Sequence, residues 1–454
     1  MTRPDTIVAL ATPPGLSAVA VIRISGPEAF DVIHRLCPEL EGEEAPRRAR
    51  LARPRDPDTG EVLDEALVVL FPGPGSYTGE DTAEVSCHGG WLSPALLLEA
   101  CMRAGAREAQ EGEFTRRAYL NGKMDLLQVE AVLDLVEGRS RALHGTALHQ
   151  LQEGLSTRIG ELREGLVDLE ALLMHHLDFP EEDEPPVPVV DIVARARELE
   201  LTMTTLLETA PEGELLREGA LTVLAGRPNS GKSSLFNALV GEERAIVTEI
   251  PGTTRDALEA VVSLGGFPFR LVDTAGLRDT TGRVEKLGVE VARRYVEGAD
   301  VILYCLEAGR GLGAEEQAFL EESGRTPVVL IRTKADLEGS RIPEADGSQA
   351  TVEVSVKTGQ GMARLMELLP EMVFGGLIRW GAEAPVLTRR RHSEAIRLAR
   401  GELRSFGKAL REGLPAEVAA AHLRPAETAL EELLGVIPRE EILDRLFQEF
   451  CIGK

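Results

Sequence analysis

The sequence has few aromatic residues and no long apolar run. Aromatic side chains make up 4% of its 454 residues, so we expect cores packed mainly from aliphatic side chains. No stretch approaches the roughly 18 uncharged apolar residues of a membrane-spanning helix. The N-terminus also lacks the charged segment followed by an apolar one that is typical of a secretory signal. The sequence therefore predicts neither a membrane span nor secretion.

Cysteine is scarce as well. The five cysteines are odd in number and are scattered without metal-ligand spacing. Such a set predicts reduced thiols in a cytoplasmic protein. Burial in a core is the simplest interpretation for Cys37, Cys101 and Cys305.

Basic residues are outnumbered by acidic ones. The chain has 50 Lys and Arg against 75 Asp and Glu, a formal net charge of −25. Affinity for nucleic acid comes mainly from cations that neutralise phosphates, so most of this surface should repel RNA. The densest cluster of basic residues is the segment 389–391, which continues at helical spacing to Arg404 and is the candidate nucleic-acid-binding patch. A solvated helix face paired with Glu394 and Glu402 explains the pattern equally well, so any nucleic-acid ligand should be held chiefly by a basic partner.

One octapeptide carries the strongest chemical signal. Residues 226–233 read GRPNSGKS, which fits the phosphate-binding pattern G-x-x-x-x-G-K-[ST]. An apolar candidate strand, 221–225, precedes it, and helical spacing follows. In that setting the loop amides can surround phosphates, Lys232 can reach the β and γ oxygens, and the Ser233 hydroxyl can bind Mg²⁺. The loop residues expected at the nucleotide are Asn229, Ser230, Gly231, Lys232, Ser233 and Ser234.

Further motifs follow in the order that a GTPase needs. Residues 273–276 read DTAG at the end of a candidate strand and fit D-x-x-G, whose aspartate holds the metal through water. Residues 333–336 read TKAD, where Asp336 can accept hydrogen bonds from guanine N1–H and N2–H₂, a donor pair that adenine lacks. A serine-containing loop at 355–357 then backs the base. The nucleotide contacts expected here are Asp273, Thr274, Ala275, Gly276, Thr333, Lys334, Asp336, Ser355, Val356 and Lys357.

Two departures from common GTPases are informative. Thr333 stands where most GTPases have asparagine. Leu277 follows Gly276, where many signalling GTPases place a glutamine that orients the attacking water. An apolar side chain cannot orient water, so hydrolysis must recruit another group.

The chain resembles the MnmE (TrmE) family of tRNA-modification GTPases. Besides the phosphate loop, the residues that carry this resemblance are AIVTEIPGTTRD at 245–256, DTAGLRDT at 273–280, the N-terminal DTIVA and ATPPG, and the terminal CIGK. The resemblance runs nearly end to end. It implies a K⁺-dependent GTP hydrolase that adds a carboxymethylaminomethyl or aminomethyl group at C5 of the wobble uridine of certain tRNAs. It also implies a homodimer that works, in a heterotetramer, with an MnmG-type FAD protein, which brings most of the tRNA.

The same resemblance implies roles for individual residues. Ser233 and Thr254 would bind Mg²⁺, and K⁺ would replace an arginine finger. Glu285 would be a catalytic glutamate, although a solvated helix-face carboxylate explains that residue as well. The K⁺ ligands would be Asn229, Thr248, Ile250 and Thr253, in a loop that also brings Glu249, Pro251 and Gly252 to the nucleotide.

A folate site is implied in the N-terminal region. The resemblance implies 5,10-methylene- or 5-formyl-tetrahydrofolate as the one-carbon donor, bound by Arg23, Glu80, Lys123 and Lys454. One carboxylate for ring donors and several cations for a glutamate tail suit such a ligand. Cys451 is a candidate redox or nucleophilic thiol.

The period of the apolar pattern divides the chain into four segments. Residues 1–123 predict an α+β domain with a helix over Leu92–Arg103, and the resemblance implies that this domain binds folate and forms the homodimer. Residues 124–216 and 378–454 predict helices, including one long helix with an apolar stripe from Leu151 to Leu173. The resemblance implies that these two stretches are parts of one helical domain. Residues 217–377 predict an inserted Ras-like G domain, a mixed sheet flanked by helices.

Two other functions remain open at this level. A ribosome-assembly GTPase that switches RNA binding would share the nucleotide motifs, but it should carry a basic RNA-binding appendage. A folate enzyme whose G domain is only regulatory would share the N-terminal residues.

Overall fold

The computed structural model describes residues 5–42, 46–152, 154–178, 187–242, 258–274, 293–324, 326–337, 350–381, 384–437 and 440–454. Contacts group the chain into two compact units: Met1–Leu133 with Glu431–Lys454, and Asp134–Leu430. The four segment boundaries predicted above stay predictions. The predicted site residues outside the described ranges are Thr248, Glu249, Ile250, Pro251, Gly252, Thr253, Thr254, Ala275, Gly276 and Glu285.

Strands occur in both units. The strands are β1 (Ile7–Leu10), β2 (Gly15–Ser25), β3 (Arg50–Ala52), β4 (Ala66–Phe71), β5 (Thr82–Gly90), β6 (Arg107–Glu108), β7 (Ala220–Gly226), β8 (Leu258–Leu264), β9 (Phe267–Asp273), β10 (Val301–Glu307), β11 (Val328–Thr333) and β12 (Ala350–Glu353).

Helices also occur in both units. The helices are α1 (Ala29–Leu36), α2 (Leu92–Arg103), α3 (Glu113–Leu120), α4 (Leu126–Glu137), α5 (Arg141–Leu151), α6 (Gly154–Asp178), α7 (Val189–Glu208), α8 (Ala210–Glu218), α9 (Lys232–Glu242), α10 (Ala314–Glu322), α11 (Met362–Val373), α12 (Gly375–Trp380), α13 (Arg390–Arg411), α14 (Ala416–Ala420), α15 (Leu423–Leu434) and α16 (Glu440–Gln448).

The first unit is built on a six-stranded sheet in the order β3-β4-β5-β2-β1-β6. Its pairs are antiparallel except β1 with β6. Alternate residues such as Ile22 and Val85 form the inner face, which packs against α1 and α2. The opposite face carries Arg23. The predicted helix over Leu92–Arg103 is confirmed at both ends.

The second unit contains a six-stranded sheet in the order β12-β11-β10-β7-β9-β8. All its pairs are parallel except β8 with β9. One face packs on α9 and α11 and the other on α10. Because parallel strands end at the same edge of a sheet, the residues after β7, β9, β11 and β12 lie close together. The predicted mixed sheet flanked by helices is therefore present.

The helical part of the second unit confirms the predicted stripe and corrects its start. Leu155, Leu162 and Leu169 on α6 are each at most 1% exposed. Leu151 instead ends α5 and does not continue α6. After the sheet, α13 packs along α7, so the helices before and after the sheet share one core.

The basic segment 389–391 does not form one continuous cationic patch. The Arg389 side chain is 10% exposed, and its Nη2 lies 2.6 Å from Asp134 Oδ1. Arg390 pairs with Glu394, as the helix-face interpretation predicts. Glu402 pairs with His422 and not with an arginine of this segment. In the described ranges, every helix is too short or too polar to cross a membrane.

Candidate functional site

The phosphate loop joins β7 to α9 in the second unit. Asn229 has φ +62°, a left-handed conformation that asparagine tolerates better than most side chains. Gly226 has φ +133°, and a Cβ there would lie 2.3 Å from the Cys305 carbonyl oxygen. The left-handed backbone at 229 therefore favours asparagine, and the positive φ and the close carbonyl at 226 require glycine.

Lys232 and Ser233 begin α9, and both make contacts within the loop region. Lys232 is 5% exposed. Its Nζ donates to the carbonyl oxygens of Gly226 at 3.0 Å and Arg227 at 2.7 Å. The Ser233 hydroxyl donates to Asp273 Oδ2 at 2.6 Å. A helix N-terminus, a lysine and a hydroxyl beside a carboxylate can together hold a phosphate group and a divalent cation.

A second group of residues follows β11 and β12. The Thr333 hydroxyl donates to the Ser230 carbonyl oxygen at 2.7 Å, which ties the end of β11 to the phosphate loop. The Ser355 hydroxyl donates to Asp336 Oδ1 at 2.8 Å. That hydrogen bond is the main reason why the pKa of Asp336 lies below its ordinary value. Asp336 is therefore an oriented, ionised carboxylate that can accept two hydrogen bonds.

Two lysines, Lys334 and Lys357, follow the ends of β11 and the Ser355 segment. Lys334 has φ +58°, and its Nζ lies 2.9 Å from Glu307 Oε1. The charge of Lys357 adds to the lowering of the Asp336 pKa. Val356 is partly exposed, and Ser234 is exposed on the first turn of α9. Thr274 follows β9, and its hydroxyl donates to the Leu224 carbonyl oxygen at 2.8 Å.

The buried cysteines are not part of this chemistry. Cys37, Cys101 and Cys305 are each at most 1% exposed, which confirms the core interpretation. Burial raises the pKa of each thiol to about 12, so these thiols are unreactive near neutral pH.

A separate polar cluster lies in the first unit around Arg23. Arg23 Nε donates to Glu84 Oε1 at 2.9 Å, and Nη1 donates to the Gly453 carbonyl oxygen at 3.3 Å. The guanidinium carbon lies 5.5 Å from the ring centroid of Tyr77 and 5.8 Å from that of Phe114. Neither aromatic residue was predicted from the sequence, since no local pattern marks them.

Glu80 lies near Arg23 on the same side of the sheet. Its Oε2 accepts a hydrogen bond from the Ser25 hydroxyl at 2.8 Å, and Ser25 is two residues along β2 from Arg23. Two residues of a strand span about 7 Å. Arg117 Nη1 also donates to Glu80 Oε2, at 3.2 Å. Sequence reasoning missed Arg117, which on its helix resembles any other surface arginine.

The chain ends beside the same cluster. Gly453 has φ +98°, and a Cβ there would lie 2.7 Å from the Leu10 carbonyl oxygen. Burial, followed by the nearby charge of Arg23, lowers the pKa of Lys454. Arg23 and Lys454 are both positively charged and act on each other, so an anion bound near both side chains would be stabilised. Cys451 is exposed, and Lys123 Nζ donates to the Pro74 carbonyl oxygen at 2.9 Å.

Histidine, cysteine and carboxylate side chains can bind a metal ion where several of them converge. Over the described ranges, groups of three or more that could hold a metal ion are absent. His88 instead forms a hydrogen bond with Asp64, with Nδ1 and Oδ1 2.7 Å apart. That hydrogen bond gives His88 a structural role in the first unit.

The chain matches the sequence models of two protein families. The GTP-binding protein TrmE N-terminus matches residues 6–123, and the MnmE helical domain matches residues 126–451. Together the two matches extend over nearly the whole sequence.

Similar proteins are found among curated sequences. The tRNA modification GTPase MnmE of Moorella thermoacetica is 42% identical over 461 residues, and that of Heliobacterium modesticaldum is 41% identical over 463 residues. Each alignment covers 99% of both chains. The G domain of the T. maritima FeoB iron transporter aligns at 29% identity over 34% of this chain and 96% of that one, with a TM-score of 0.26.

Proposed function

The chain belongs to the MnmE (TrmE) family and is a GTPase involved in tRNA modification, and we propose that it drives C5 modification of the wobble uridine of certain tRNAs by K⁺-dependent GTP hydrolysis. The added group is a carboxymethylaminomethyl or aminomethyl group built from a folate one-carbon unit. The observation that carries this proposal is similarity over the full length of both curated relatives, joined to a phosphate loop whose lysine and serine lie beside Asp273.

In this proposal the loop binds the phosphates of GTP. Backbone N–H groups at the start of α9 point toward the phosphates, and Lys232 supplies a positive charge. Thr333 stabilises the loop through Ser230. Asp336 selects guanine, since an adenine base would leave its carboxylate without donors.

Mg²⁺ fits the oxygen donors of Ser233 and Asp273. Both are hard ligands, and their oxygen atoms already lie 2.6 Å apart. When bound, the ion offsets phosphate charge during bond cleavage. Ser233 would contact it directly, Asp273 through water, and Thr254, outside the described residues, would complete the protein ligands.

The proposed K⁺ site involves Asn229. This side chain is exposed at the left-handed position of the phosphate loop, and an amide oxygen is a suitable ligand for a monovalent cation. Such a cation supplies the charge stabilisation that an arginine finger supplies elsewhere. The further proposed ligands, Thr248, Ile250 and Thr253, lie outside the described residues, as does the proposed catalytic residue Glu285.

The proposed folate site is the polar cluster of the first unit. The closeness of Arg23 and Lys454 favours the anionic tail of a folate, and Lys123 adds a third cation. Glu80 can accept hydrogen bonds from ring N–H groups of a pterin. Cys451, exposed three residues before Lys454, is proposed as a redox or nucleophilic thiol for the same chemistry.

We propose a homodimer formed through the first unit, which works with an MnmG-type FAD protein. Exposed apolar side chains on this unit support a protein contact. The net charge of −25 supports delivery of tRNA mainly by the partner. The exposed apolar residues of this unit include Leu16, Leu51, Leu67, Trp91 and Leu92.

The proposal is tested on tRNA from cells that lack this protein. We expect the wobble uridine to lack its C5 group, and the wild-type gene to restore it. A gene carrying Lys232→Ala should not restore it. Full modification without the protein would overturn the function, and restoration by Lys232→Ala would show that hydrolysis is not needed.

The cation is tested separately. Exchanging Na⁺ for K⁺ at equal ionic strength should raise the hydrolysis rate, and Asn229→Ala should flatten that response. Equal rates in the two salts would remove K⁺ from the proposal but leave the tRNA function standing.

A further inference from the structure

Arg227, the second residue of the phosphate loop, forms a two-point ion pair with a buried carboxylate on α10. Its Nε lies 2.5 Å from Glu316 Oε1, and its Nη2 lies 3.2 Å from Oε2. Glu316 is only 2% exposed. The neighbouring Glu315 also approaches Arg227, at 3.1 Å, but its side chain is 81% exposed.

Glu316 is held in place by its own helix terminus. The Gly313 N–H donates to Glu316 Oε2 at 3.0 Å. A Cβ at residue 313 would lie 2.7 Å from that oxygen, so a larger residue would displace the carboxylate. Burial acts to raise the pKa of Glu316, but backbone hydrogen bonds and Arg227 outweigh it and hold the pKa below its ordinary value. The carboxylate is therefore charged and fixed.

The backbone of Arg227 is in turn linked to the lysine of the loop. The Arg227 carbonyl oxygen accepts from Lys232 Nζ at 2.7 Å and from the Ser230 N–H at 3.3 Å. Pro228 follows, and a residue before proline has a restricted backbone. The ion pair of the guanidinium therefore restrains the residue whose carbonyl oxygen contacts Lys232.

We propose that Glu316 is a positioning residue for GTP binding, which acts by holding Arg227 and thereby the phosphate loop. The inference rests on the proposed phosphate-binding role of that loop. The loop surrounds the β-phosphate that GDP and GTP share, so both nucleotides should lose affinity when Arg227 is released. Loss of a contact that substrate and transition state share raises KM and leaves kcat nearly unchanged.

The test compares two isosteric variants of adjacent residues in the full-length protein. Glu316→Gln removes the buried charge, and Glu315→Gln removes the exposed one. We expect Glu316→Gln to raise the Kd for GDP and the KM for GTP by about tenfold, a typical loss for one charge-assisted hydrogen bond. Its kcat should stay within about twofold, and Glu315→Gln should match the wild type.

A double-mutant cycle separates positioning from general stability. If Glu316 acts through Arg227, adding Glu316→Gln to Arg227→Gln should change the GDP affinity little further. Unchanged GDP affinity in Glu316→Gln, a lowered thermal midpoint as its only effect, or additive losses in the double variant would each overturn the inference. Wild-type GTP affinity in Lys232→Ala would instead overturn the role of the loop itself.

Discussion

The Ser233 hydroxyl donates a 2.6 Å hydrogen bond to Asp273 Oδ2, although the two residues are 40 positions apart. The contact joins the first turn of α9 to the end of β9, and β9 lies next to β7 in the sheet. The hydroxyl and the carboxylate are therefore brought together by strand order. Together they present hard oxygen atoms to one point at the carboxyl edge of the sheet.

The Asp273 carboxylate should matter chiefly through its charge. Asp273→Asn keeps an acceptor for Ser233 but removes the negative charge. We expect the Mg²⁺ concentration for half-maximal GTP hydrolysis to rise about 10- to 100-fold, the usual effect of losing a partner around a metal ligand.

Asp300 offers a matched control on the same sheet. It precedes β10 at the opposite edge and accepts a hydrogen bond from the Leu221 N–H at 2.7 Å. Asp300→Asn should leave the Mg²⁺ titration unchanged. If Asp273→Asn and Asp300→Asn behave alike, Asp273 has no role at the metal.

Asp336 should decide which base is bound. Asp336→Asn replaces one acceptor with a donor, so xanthosine triphosphate should compete better than GTP for the variant. Ser355→Ala removes the hydroxyl that donates to this carboxylate and accepts from the Thr358 N–H, and it keeps the carboxylate itself. We expect it to weaken GTP binding about fivefold without reversing the preference. Competition binding with the two nucleotides measures both effects, and an unaltered GTP preference in Asp336→Asn would argue against base recognition.

His88 should make the stability of the first unit depend on pH. A hydrogen bond with Asp64 raises the pKa of His88 above its ordinary value of 6.5. Because the pKa is higher in the folded state, the stabilisation that protonated His88 provides is fully present below pH 6.5. It is lost as the pH rises through the folded-state pKa. The difference in thermal midpoint between the wild type and His88→Gln should therefore be largest below pH 6.5 and shrink as the pH rises above it.

Asp64→Asn provides the control for this titration. Asp64→Asn keeps a hydrogen-bond acceptor for His88 but removes the negative charge. The thermal midpoint of this variant should therefore lack the pH-dependent contribution that His88 makes in the wild type. A constant difference between the wild type and His88→Gln across the range would exclude the linkage.

The core of the helical part can be tested with two adjacent residues on α6. Leu166 is fully buried, whereas Val167 is 40% exposed. Leu166→Ala removes buried methyl groups and leaves a cavity, so we expect the free energy of unfolding to fall by about 2–5 kcal/mol. Val167→Ala should change it by less than about 1 kcal/mol. Equal losses in urea denaturation would contradict the predicted stripe.

Local patterns predicted several elements well. The helix Leu92–Arg103 and the stripe on α6 follow from apolar periodicity, because a single amphipathic face is encoded by nearby residues. The start of the stripe was predicted wrongly, since Leu151 continues the same spacing from the end of α5. Periodicity alone does not distinguish one long helix from two consecutive ones.

Ion pairs between distant segments were predicted less well. Arg389 was interpreted as part of an exposed basic segment, but it pairs with Asp134, which lies 255 positions away. Glu402 was assigned to an arginine and instead pairs with His422. Charged residues have many possible partners along the chain, and only packing selects one.

The amino-acid sequence by itself determined the phosphate loop and the strand and helix periods, because each depends on residues close together in the chain. The tertiary structure alone decided that Glu316 holds Arg227, that Ser355 orients Asp336, and that the chain terminus reaches Arg23. These contacts join residues that are far apart in the chain. Strand order and helix packing set the distance between them, so no local sequence pattern predicts the contacts.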